Sequence, residues 1–339
     1  MRVLIVSQYF WPESFRINEL ARSLTERGLS VDILTGQPNY PEGDVFNGYR
    51  AWGTGKMLWN GLTIWRVPIF PRGSKSGVRL ALNYLSFLFS GFFWAPWLLR
   101  KQKYDVIFVY GLSPILQALP GLLLGWIKKA KVVLWVQDLW PESLSATGYV
   151  ANPRILNAVA AVVRYIYRHC DLVLVQSKAF VARVLQMAPG ATVIYYPNSG
   201  DPQFASHIDD SVGGADWNHG FSVTFAGNIG VAQSVEVIME AAELLRDNSE
   251  INFVVIGDGS RREWMVKEIR SRNLTNVHLK GRYPYEAMPG LLQKASVLLV
   301  TLKDDAIFNA TIPSKVQAYL ATGKPILGCL NGEGGRVIT

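Results

Sequence analysis

The chain has 339 residues, of which 49% are hydrophobic and 18% are charged. This composition argues against a disordered protein, because disordered chains are poor in apolar residues, and the length predicts two or three domains. Two cysteines, Cys170 and Cys329, are too few for a disulfide framework, so a reducing cytoplasm is favoured. Four histidines without paired spacing argue against a Cys/His metal centre, and no bound metal is expected.

The net charge of +8 is unevenly distributed along the chain. Residues 1–200 contain 21 Lys and Arg against 10 Asp and Glu, whereas residues 201–339 contain 13 against 16. Nine of the 11 Trp residues also lie among the first 200. This asymmetry suggests two domains with different partners, of which the first faces an anionic membrane, nucleic acid or phosphate. A basic face without a partner is the alternative, and charge alone does not decide between the two.

Short apolar runs alternate with helical segments over the first 200 residues. Residues 1–7 contain an apolar run too short for a signal peptide, and the run predicts a buried first strand over 3–6. A helix is predicted over 15–28, and Ser113-Pro114 and Asn152-Pro153 predict two further helix starts, each with a capping residue before proline. The other predicted strands are 31–34, 60–67, 106–110, 132–137, 172–176 and 192–195. Continuous apolar strands of this kind indicate a parallel sheet covered on both faces.

The alternation of strands and helices stops at residues 198–220 and then restarts. This segment is rich in Gly, Asp, Ser and Asn, and it predicts a linker between a domain at 1–197 and a second domain at 221–339. In the second domain, strands are predicted at 222–226, 252–256, 277–279, 297–300 and 325–328, with helices at 234–246, 261–272, 285–294 and 313–321. The sequence therefore predicts an α/β fold of two doubly wound domains that face each other across a cleft.

The chain ends in a segment, 333–339, that predicts the beginning of a helix. We expect five strands without a closing helix, a truncated second domain and an exposed apolar patch beside its last strands.

Residues 78–99 form a long apolar stretch without a charged residue between 80 and 99. Its length of about 20 residues is enough to span a membrane, and three interpretations remain open: an interfacial helix or helix pair, a buried helix and a spanning helix. We favour the interfacial helix, because a crossing would place the two halves of one sheet on opposite sides of the bilayer. The aromatic residues expected to be exposed are Phe87, Phe89, Phe92, Phe93, Trp94 and Trp97. The basic residues expected on the same side are Arg72, Lys75, Arg79, Arg100, Lys101 and Lys103.

Three segments of the second domain have the residue types of a phosphate-binding site. Residues 223–231 and 256–259 each predict a strand that ends in glycines, where a backbone can approach a ligand closely. Ser314 and Lys315 open a predicted helix and offer free amide groups, a hydroxyl and a cation. Each segment alone is also compatible with an ordinary turn or helix cap. The NAD and Walker patterns of glycines are absent from the sequence.

Four motifs of the second domain, taken in their order and spacing, resemble the donor domain of GT-B glycosyltransferases. They are GNIG (227–230), IGDG (256–259), GRYPYEAMPGLL (281–292) and the IPSK to GKPI element (312–326). The closer resemblance is to glycosyltransferase family 4, the retaining group. In the first domain, SQYFWPE (7–13) and QDLWPES (137–143) resemble the bacterial branch with the colanic-acid and L-fucosamine transferases of O-antigen and capsule synthesis. The resemblance covers essentially the whole chain.

This resemblance implies site residues in both domains. Asp138 would lie near the acceptor hydroxyl, Lys315 would act on the donor diphosphate, and Glu13 and Arg16 would face the cleft. The donor nucleotide and its diphosphate would be bound by Gly227, Asn228, Gly230, Gly257, Asp258, Gly259, Arg282, Tyr283, Ser314 and Lys315.

The sequence departs from the family pattern at several positions. Asn228 and Gln233 stand where the family commonly has an Arg and a Lys, and Ala310 and Ala318 stand where it commonly has two glutamates. The cation role would then fall to Lys315 or Arg282. The nearest acids are Asp304 and Asp305, which are better explained by a solvated loop than by a metal site.

From the resemblance, we expect a glycosyltransferase that needs no cofactor and uses a nucleotide diphosphate sugar as its donor. Its acceptor would be a polyprenyl-diphosphate-linked saccharide, and it would lie at the cytoplasmic face of the bacterial plasma membrane, without a nucleic-acid partner. Two alternatives remain. One is a UDP-sugar 2-epimerase of the same architecture, which would have no use for the apolar stretch. The other is a catalytically silent assembly partner, which the missing glutamates would permit.

Overall fold

The computed structural model describes residues 1–73, 77–146, 150, 152–200, 202–205 and 220–339. The chain divides into two compact units, Met1–Tyr196 and Pro197–Thr339. Most of the predicted linker lies outside the described residues. Each unit is built on a sheet of parallel or mostly parallel strands with helices between them.

The first unit contains an eight-stranded sheet within its described residues, in the order β3-β4-β2-β1-β5-β6-β7-β8. Its strands are β1 (Arg2–Val6), β2 (Ser30–Thr35), β3 (Gly55–Trp59), β4 (Leu62–Arg66), β5 (Val106–Gly111), β6 (Lys131–Val136), β7 (Leu172–Val175) and β8 (Val193–Tyr195). Its helices are α1 (Arg16–Glu26), α2 (Gly77–Leu98), α3 (Ala118–Lys128), α4 (Glu142–Ala146), α5 (Pro153–His169) and α6 (Lys178–Met187). The central strands are buried apolar runs, as the sequence predicts for a covered parallel sheet.

The antiparallel edge strand β3 is absent from the sequence-based prediction. It pairs with β4 in a hairpin whose turn is Asn60-Gly61, and both turn residues have positive φ angles, 47° and 78°. A tight hairpin turn of this type favours Asn-Gly, because both central positions need the left-handed region. Residues 60–67, predicted as one strand, therefore begin with the turn, and β4 follows it.

The described part of the second unit contains a five-stranded parallel sheet in the order β11-β10-β9-β12-β13. Its strands are β9 (Phe221–Ala226), β10 (Ile251–Ile256), β11 (Val277–Gly281), β12 (Val297–Thr301) and β13 (Ile326–Cys329). The helices are α7 (Glu236–Leu244), α8 (Arg262–Ser271), α9 (Met288–Gln293), α10 (Ala306–Ala310), α11 (Ser314–Thr322) and α12 (Gly332–Ile338). All five predicted strands are present within one or two residues.

Both sheets contain a point at which successive strands are added to opposite sides of the first strand. In the first unit β1 lies between β2 and β5, and in the second unit β9 lies between β10 and β12. Ligands of doubly wound folds bind at the carboxyl ends of the strands at this point. The carboxyl ends of β1, β5 and β6, and those of β9 and β10, are therefore where a site is expected.

The apolar stretch forms a single helix, α2, with one buried stripe. The stripe consists of Asn83, Phe87, Gly91 and Ala95, spaced four residues apart, and it packs on the first unit. Phe87 was expected to be exposed, and this prediction is wrong because Phe87 belongs to the stripe. Phe92 is half-buried, whereas Phe89, Phe93, Trp94 and Trp97 are exposed as predicted. The helix is long and apolar enough to cross a membrane.

The basic residues around α2 divide into two groups. Arg79, Arg100, Lys101 and Lys103 are exposed, Arg79 in the first turn of the helix and the other three after its end. Arg72 is not a free surface cation, because its guanidinium lies over the Tyr40 ring, 5.0 Å from the centroid. Lys75 lies outside the described residues.

The last described helix, α12, packs on elements of its own unit. It covers Gly332–Ile338, where the sequence predicts the beginning of a helix, and it follows β13 and contacts α10, α11 and β13. Leu327 on β13 is 50% exposed at the sheet edge.

Candidate active site

Two glycine turns meet at the carboxyl ends of β9 and β10. Gly227 follows β9 with a φ of 136°, and Gly257 follows β10 with a φ of 132°. The Gly227 amide donates to the Ile256 carbonyl at 2.9 Å, and the Ile229 amide donates to the Asp258 carbonyl at 2.8 Å. A Cβ atom on Gly257 would lie 1.9 Å from the Gly227 carbonyl oxygen, so only glycine permits this contact.

The Asn228 side chain fills the space between the two turns. A Cβ on Gly230 would lie 2.6 Å from the Asn228 amide nitrogen, and a Cβ on Gly259 would lie 2.6 Å from its amide oxygen. Asn228 stands where the family commonly has a cation. Here it is a neutral residue that packs against both turns.

A cation lies beside the Gly227 turn: Lys315, in the first turn of α11. Its ammonium nitrogen lies 3.7 Å from the centroid of the Phe225 ring and 3.4 Å from the position that a Cβ would take on Gly227. The nitrogen is buried and makes no hydrogen bond to any residue that the structure describes. Burial lowers the pKa of Lys315 from 10.5 to about 7. A buried ammonium without an acceptor is a group that an anionic ligand would satisfy.

Tyr319 fixes the helix that carries Lys315. Its buried hydroxyl accepts a hydrogen bond from the Ala226 amide at 2.8 Å and donates to the Ala226 carbonyl at 3.2 Å. Ser314 is the first residue of α11 and is exposed, and its side chain does not cap the helix. The free amides of this helix end and the Lys315 ammonium therefore lie at the same strand end as the Gly227 turn.

The remaining predicted donor residues line the neighbouring turns. Asp258 is exposed and accepts a hydrogen bond from the Gly259 amide at 2.8 Å. Arg282 and Tyr283 follow β11, whose last residue, Gly281, accepts from the Gly257 amide at 2.7 Å. Arg282 is exposed and Tyr283 is half-buried. The three strand ends of β9, β10 and β11 thus form one continuous rim.

Among the residues that the structure describes, no carboxylate cluster replaces the acidic positions of the family pattern. Asp305 caps α10 by accepting from the Ile307 amide at 3.0 Å, and Asp304 accepts from the Asn309 side chain at 2.7 Å. These contacts give both acids a structural role in the α10 loop. Ala310 ends α10, and Ala318 packs against the core of the second unit.

In the first unit, Asp138 lies just beyond β6 and is bound to the end of β5. Its Oδ2 accepts from the Ser113 hydroxyl at 2.9 Å and from the Ser113 amide at 3.2 Å. The Trp140 indole donates to the same hydroxyl at 2.9 Å. Ser113 was expected to cap a helix, and this prediction is wrong, since a 3₁₀ turn starts after Pro114 and the hydroxyl orients Asp138 instead. Asn152, in contrast, caps α5 as predicted, accepting from Arg154 at 2.9 Å.

Asp138 is a carboxyl group in a largely desolvated place. Burial raises its pKa, while the two hydrogen bonds from Ser113 act in the opposite direction. Arg16, at the start of α1, and Asp138 both lie close enough to the Tyr110 phenol to influence its pKa, which burial raises. Arg16 and Asp138 therefore both lie in the neighbourhood of Tyr110, at the end of β5.

Glu13 has a different environment from the one expected of a cleft residue. It is only 2% exposed, and its carboxylate accepts hydrogen bonds from the backbone amides of Asn39, Tyr40 and Phe10 at 2.8, 2.8 and 3.2 Å. Burial raises its pKa to about 7, against the effect of these bonds. Glu13 thus joins the loops after β1 and β2, which fits a positioning residue better than a group that touches the substrate.

Two residues that position the site were missed by the sequence analysis. Ser113 holds Asp138, and Tyr319 holds α11, and each does so across a long separation in sequence. Ser113-Pro114 resembles a helix start, and Tyr319 resembles one more apolar residue of a helix face. The contact between Ser113 and Asp138 could have been found from the sequence, because a hydroxyl and a carboxylate follow the ends of two adjacent parallel strands.

Two Rossmann-like units with polar groups at their strand ends define the GT-B class of glycosyltransferases. HepE of Anabaena, solved in complex with UDP and glucose, superposes with a TM-score of 0.64 at 13% identity, covering 99% of this chain and 82% of that protein. WaaG, a glycosyltransferase involved in lipopolysaccharide biosynthesis, also gives 0.64, at 14% identity over 99% of this chain and 83% of that chain. These likenesses establish the fold.

The family is shown by matches to sequence models of both units. Residues 14–198 match a glycosyl transferase 4-like domain, and residues 220–338 match glycosyl transferases group 1. The chain belongs to this glycosyltransferase family, which confirms the resemblance seen in its motifs.

Two curated relatives are similar over most of the chain. WcaI of Escherichia coli (strain K12), whose name assigns it to colanic acid biosynthesis as a glycosyl transferase, is 28% identical over 95% of this chain and 82% of its own length. WbjE of Pseudomonas aeruginosa, named as a glycosyltransferase, is 26% identical over 77% of this chain and 66% of its own length.

Proposed function

We propose that the protein transfers a sugar from a nucleotide diphosphate sugar to a polyprenyl-diphosphate-linked saccharide, with retention at the anomeric carbon. The transfer takes place at the cytoplasmic face of the bacterial plasma membrane, in the synthesis of a surface polysaccharide. The polysaccharide setting is supported by WcaI and WaaG, whose names refer to colanic acid and lipopolysaccharide biosynthesis. A nucleotide donor is supported by HepE, which has the same fold and binds UDP.

The observation that carries the proposal is the buried ammonium of Lys315 beside the Gly227 turn. In the transfer, the bond between the anomeric carbon and the diphosphate oxygen breaks, and its electron pair leaves with the nucleotide diphosphate. Negative charge therefore develops on that oxygen in the transition state. A preorganised cation and free helix amides at this position stabilise the charge most strongly where water is excluded. Lys315 and the amino end of α11 supply both.

On the acceptor side, the proposed role of Asp138 is to receive the proton of the attacking hydroxyl. The acceptor oxygen forms the new bond to the anomeric carbon and loses its proton. A carboxylate whose pKa is raised by burial is a better proton acceptor near neutral pH than an ordinary one. The hydrogen bonds from Ser113 hold that carboxylate in one orientation.

The proposed location is supported by the face of α2 that points away from the unit. Phe93, Trp94 and Trp97 are exposed at the end of this helix, and Arg100, Lys101 and Lys103 follow directly. Aromatic side chains at headgroup level and cations facing anionic lipids are the features of an interfacial helix.

The test is a transfer assay with purified protein, bacterial membranes that contain lipid-linked saccharides, and a panel of nucleotide diphosphate sugars labelled in the sugar. We expect label to move to the lipid fraction, and we expect Lys315→Ala to lower kcat by about 10²–10³ and by more than KM rises, as for loss of one stabilising group. Lys267→Ala, which removes an exposed lysine of α8, is the matched control and should retain full turnover.

Three outcomes would contradict the proposal. Unchanged turnover in Lys315→Ala would mean that Arg282 supplies the cation or that the proposed mechanism is wrong. Nucleotide binding without transfer for any donor would favour a catalytically silent assembly partner. An altered sugar formed from a UDP-N-acetylhexosamine without acceptor would favour a 2-epimerase.

A further inference from the structure

A second concave site lies in the first unit, away from Asp138. It is a groove of about 750 Å³ between α3 and the last turn of α5, and Phe92 of α2 forms one of its walls. Ala130 and Lys131 form its end at the start of β6, whereas Asp138 follows the end of that strand. The six residues of β6 therefore separate this end of the groove from Asp138, which corresponds to about 20 Å along the strand. The groove is therefore not part of the acceptor site described above.

The groove is fixed by close packing of α3 on the sheet. A Cβ on Gly125 would lie 2.3 Å from the Val132 side chain, and one on Gly121 would lie 2.6 Å from the Val109 side chain. A Cβ on Gly91 of α2 would lie 2.8 Å from the Pro120 ring of α3. Glycine at these positions lets the helices lie directly on each other and on the strands, so the groove has rigid walls.

The walls and the rim of the groove differ in chemistry. Its walls are apolar and come from Phe92, Leu119, Leu122, Leu123 and Trp126. Lys129 and Lys131 stand at the rim, and Lys131 pairs with Asp171 at 2.7 Å. Lys129 is exposed and forms no ion pair with the residues that the structure describes. Two lysines against one carboxylate give the rim a net positive charge.

The surroundings of the groove extend the same pattern. Trp126 is 80% exposed beside it, and Phe93 of α2, next to Phe92, is 77% exposed. Arg164 and Arg168 are exposed on α5, each one residue before a groove residue, Tyr165 and His169. An apolar channel with a basic rim, opening beside exposed aromatic side chains, matches a molecule that has an apolar chain and an anionic head.

We propose that this groove binds one anionic phospholipid, with an acyl chain along Leu122 and Phe92 and the phosphate at Lys129. Such a site would hold an individual lipid, in contrast to the general attraction of a helix to a membrane surface. It rests on the proposed membrane location only for the supply of lipid, and it does not depend on sugar transfer.

The experiment uses the full chain and a lipid that is soluble as a monomer, so that no bilayer is needed. Dihexanoyl phosphatidylglycerol, below its micelle concentration, is titrated calorimetrically, with dihexanoyl phosphatidylcholine as the lipid of zero net charge. We expect phosphatidylglycerol to bind about fivefold more tightly, the size of one lysine contact with an anionic headgroup. Lys129→Ala should remove this preference, and Leu122→Trp, which fills the groove, should weaken binding of both lipids.

Matched controls are Lys101→Ala and Trp97→Ala, which change exposed residues outside the groove lining and should leave both affinities unchanged. Thermal unfolding of each variant confirms that it is folded, and a second filling variant, Leu123→Phe, replaces Leu122→Trp if the latter is unfolded. The absence of binding, equal affinity for both lipids, or unchanged binding in the filled groove would overturn the proposal.

Vesicle sedimentation separates this site from the proposed membrane location. The filled-groove variant should still sediment with anionic vesicles, whereas Trp97→Ala should sediment less. Loss of sedimentation in Trp97→Ala with intact binding of the monomeric lipid confirms the two as separate properties. If the proposed membrane location is wrong, neither the wild type nor the variants will sediment with the vesicles. The titration with monomeric lipid still tests whether the groove binds a phospholipid.

Discussion

Lys315 and Tyr319 lie one helical turn apart on α11, and both contact β9. The Tyr319 hydroxyl is bonded to the backbone of Ala226, and the Lys315 ammonium lies over the ring of Phe225, the preceding residue. Residues four apart project from the same side of a helix, so the hydrogen bonds of Tyr319 to Ala226 also set the position of Lys315. The cation is thus held at the strand end by the backbone of the strand itself.

Binding of a nucleotide diphosphate should depend on the ionisation of Lys315. Its pKa of about 7 means that the side chain is charged below neutral pH and neutral above it. A bound anion favours the charged form, so we expect protons to be taken up on UDP binding and the Lys315 contribution to affinity to fall as pH rises through 7. Calorimetry in buffers of different ionisation enthalpy measures this uptake.

The phosphate of UDP also ionises, and its effect has the opposite sign, because the more charged nucleotide binds more tightly. Lys315→Met reports that effect alone. A pH dependence of affinity that is identical in the wild type and in Lys315→Met would contradict the assignment.

Tyr319→Phe should lower both stability and nucleotide affinity. The change keeps the buried ring but leaves the Ala226 amide and carbonyl without their partner, which costs about 1–3 kcal/mol of unfolding free energy. Urea unfolding measures the stability change, and UDP titration measures the affinity. Tyr196→Phe, which removes the hydroxyl of a tyrosine that is 42% exposed, should change neither. An unchanged midpoint in Tyr319→Phe would mean that the bond to Ala226 contributes little.

Glu13→Gln should destabilise the first unit. The carboxylate accepts three backbone amides, and glutamine would turn a donor toward at least one of them. We expect a loss of about 1–3 kcal/mol in unfolding free energy, the cost of a buried unsatisfied group. Glu26→Gln, at a side chain that is 68% exposed, is the control. Stability equal to the wild type, together with a large fall in kcat, would return Glu13 to a catalytic role.

Trp97→Ser should weaken sedimentation with anionic vesicles, and added salt should weaken it further in the wild type. Trp97 is 53% exposed at the end of α2, and the Arg100 guanidinium lies 4.6 Å from the centroid of its ring. Trp52→Ser provides a matched control, because Trp52 is 70% exposed elsewhere in the same unit. Equal loss in both variants would indicate non-specific hydrophobic binding.

The parallel strands of both units could be predicted because each is a short apolar run between glycines, prolines and helical segments. The Gly227 and Gly257 turns could also be placed, because glycines directly after a buried apolar run indicate a tight turn at the end of a strand. Asn152-Pro153 identified a helix start because all of the contacts that cap a helix are local.

The contacts that the sequence did not reveal are those between distant residues. Ser113 is 25 residues from Asp138 and Tyr319 is 93 from Ala226, and no local pattern reports such pairings. The burial of Phe87 was missed because α2 is apolar on nearly every side, so its periodicity did not distinguish the packed stripe. The antiparallel β3 was missed because its residues alternate between exposed and half-buried at a sheet edge.

The contact between the two glycine turns limits how the proposed donor site can be altered. The Gly227 turn is bonded to the end of β10, and the Gly257 turn to the end of β11, with no space for a methyl group between the first two. Loop remodelling at any of these strand ends would disturb all three together. A protein engineer seeking a different sugar nucleotide should therefore keep the backbone of this rim and vary the side chains that project from it, beginning with Asn228 and Arg282.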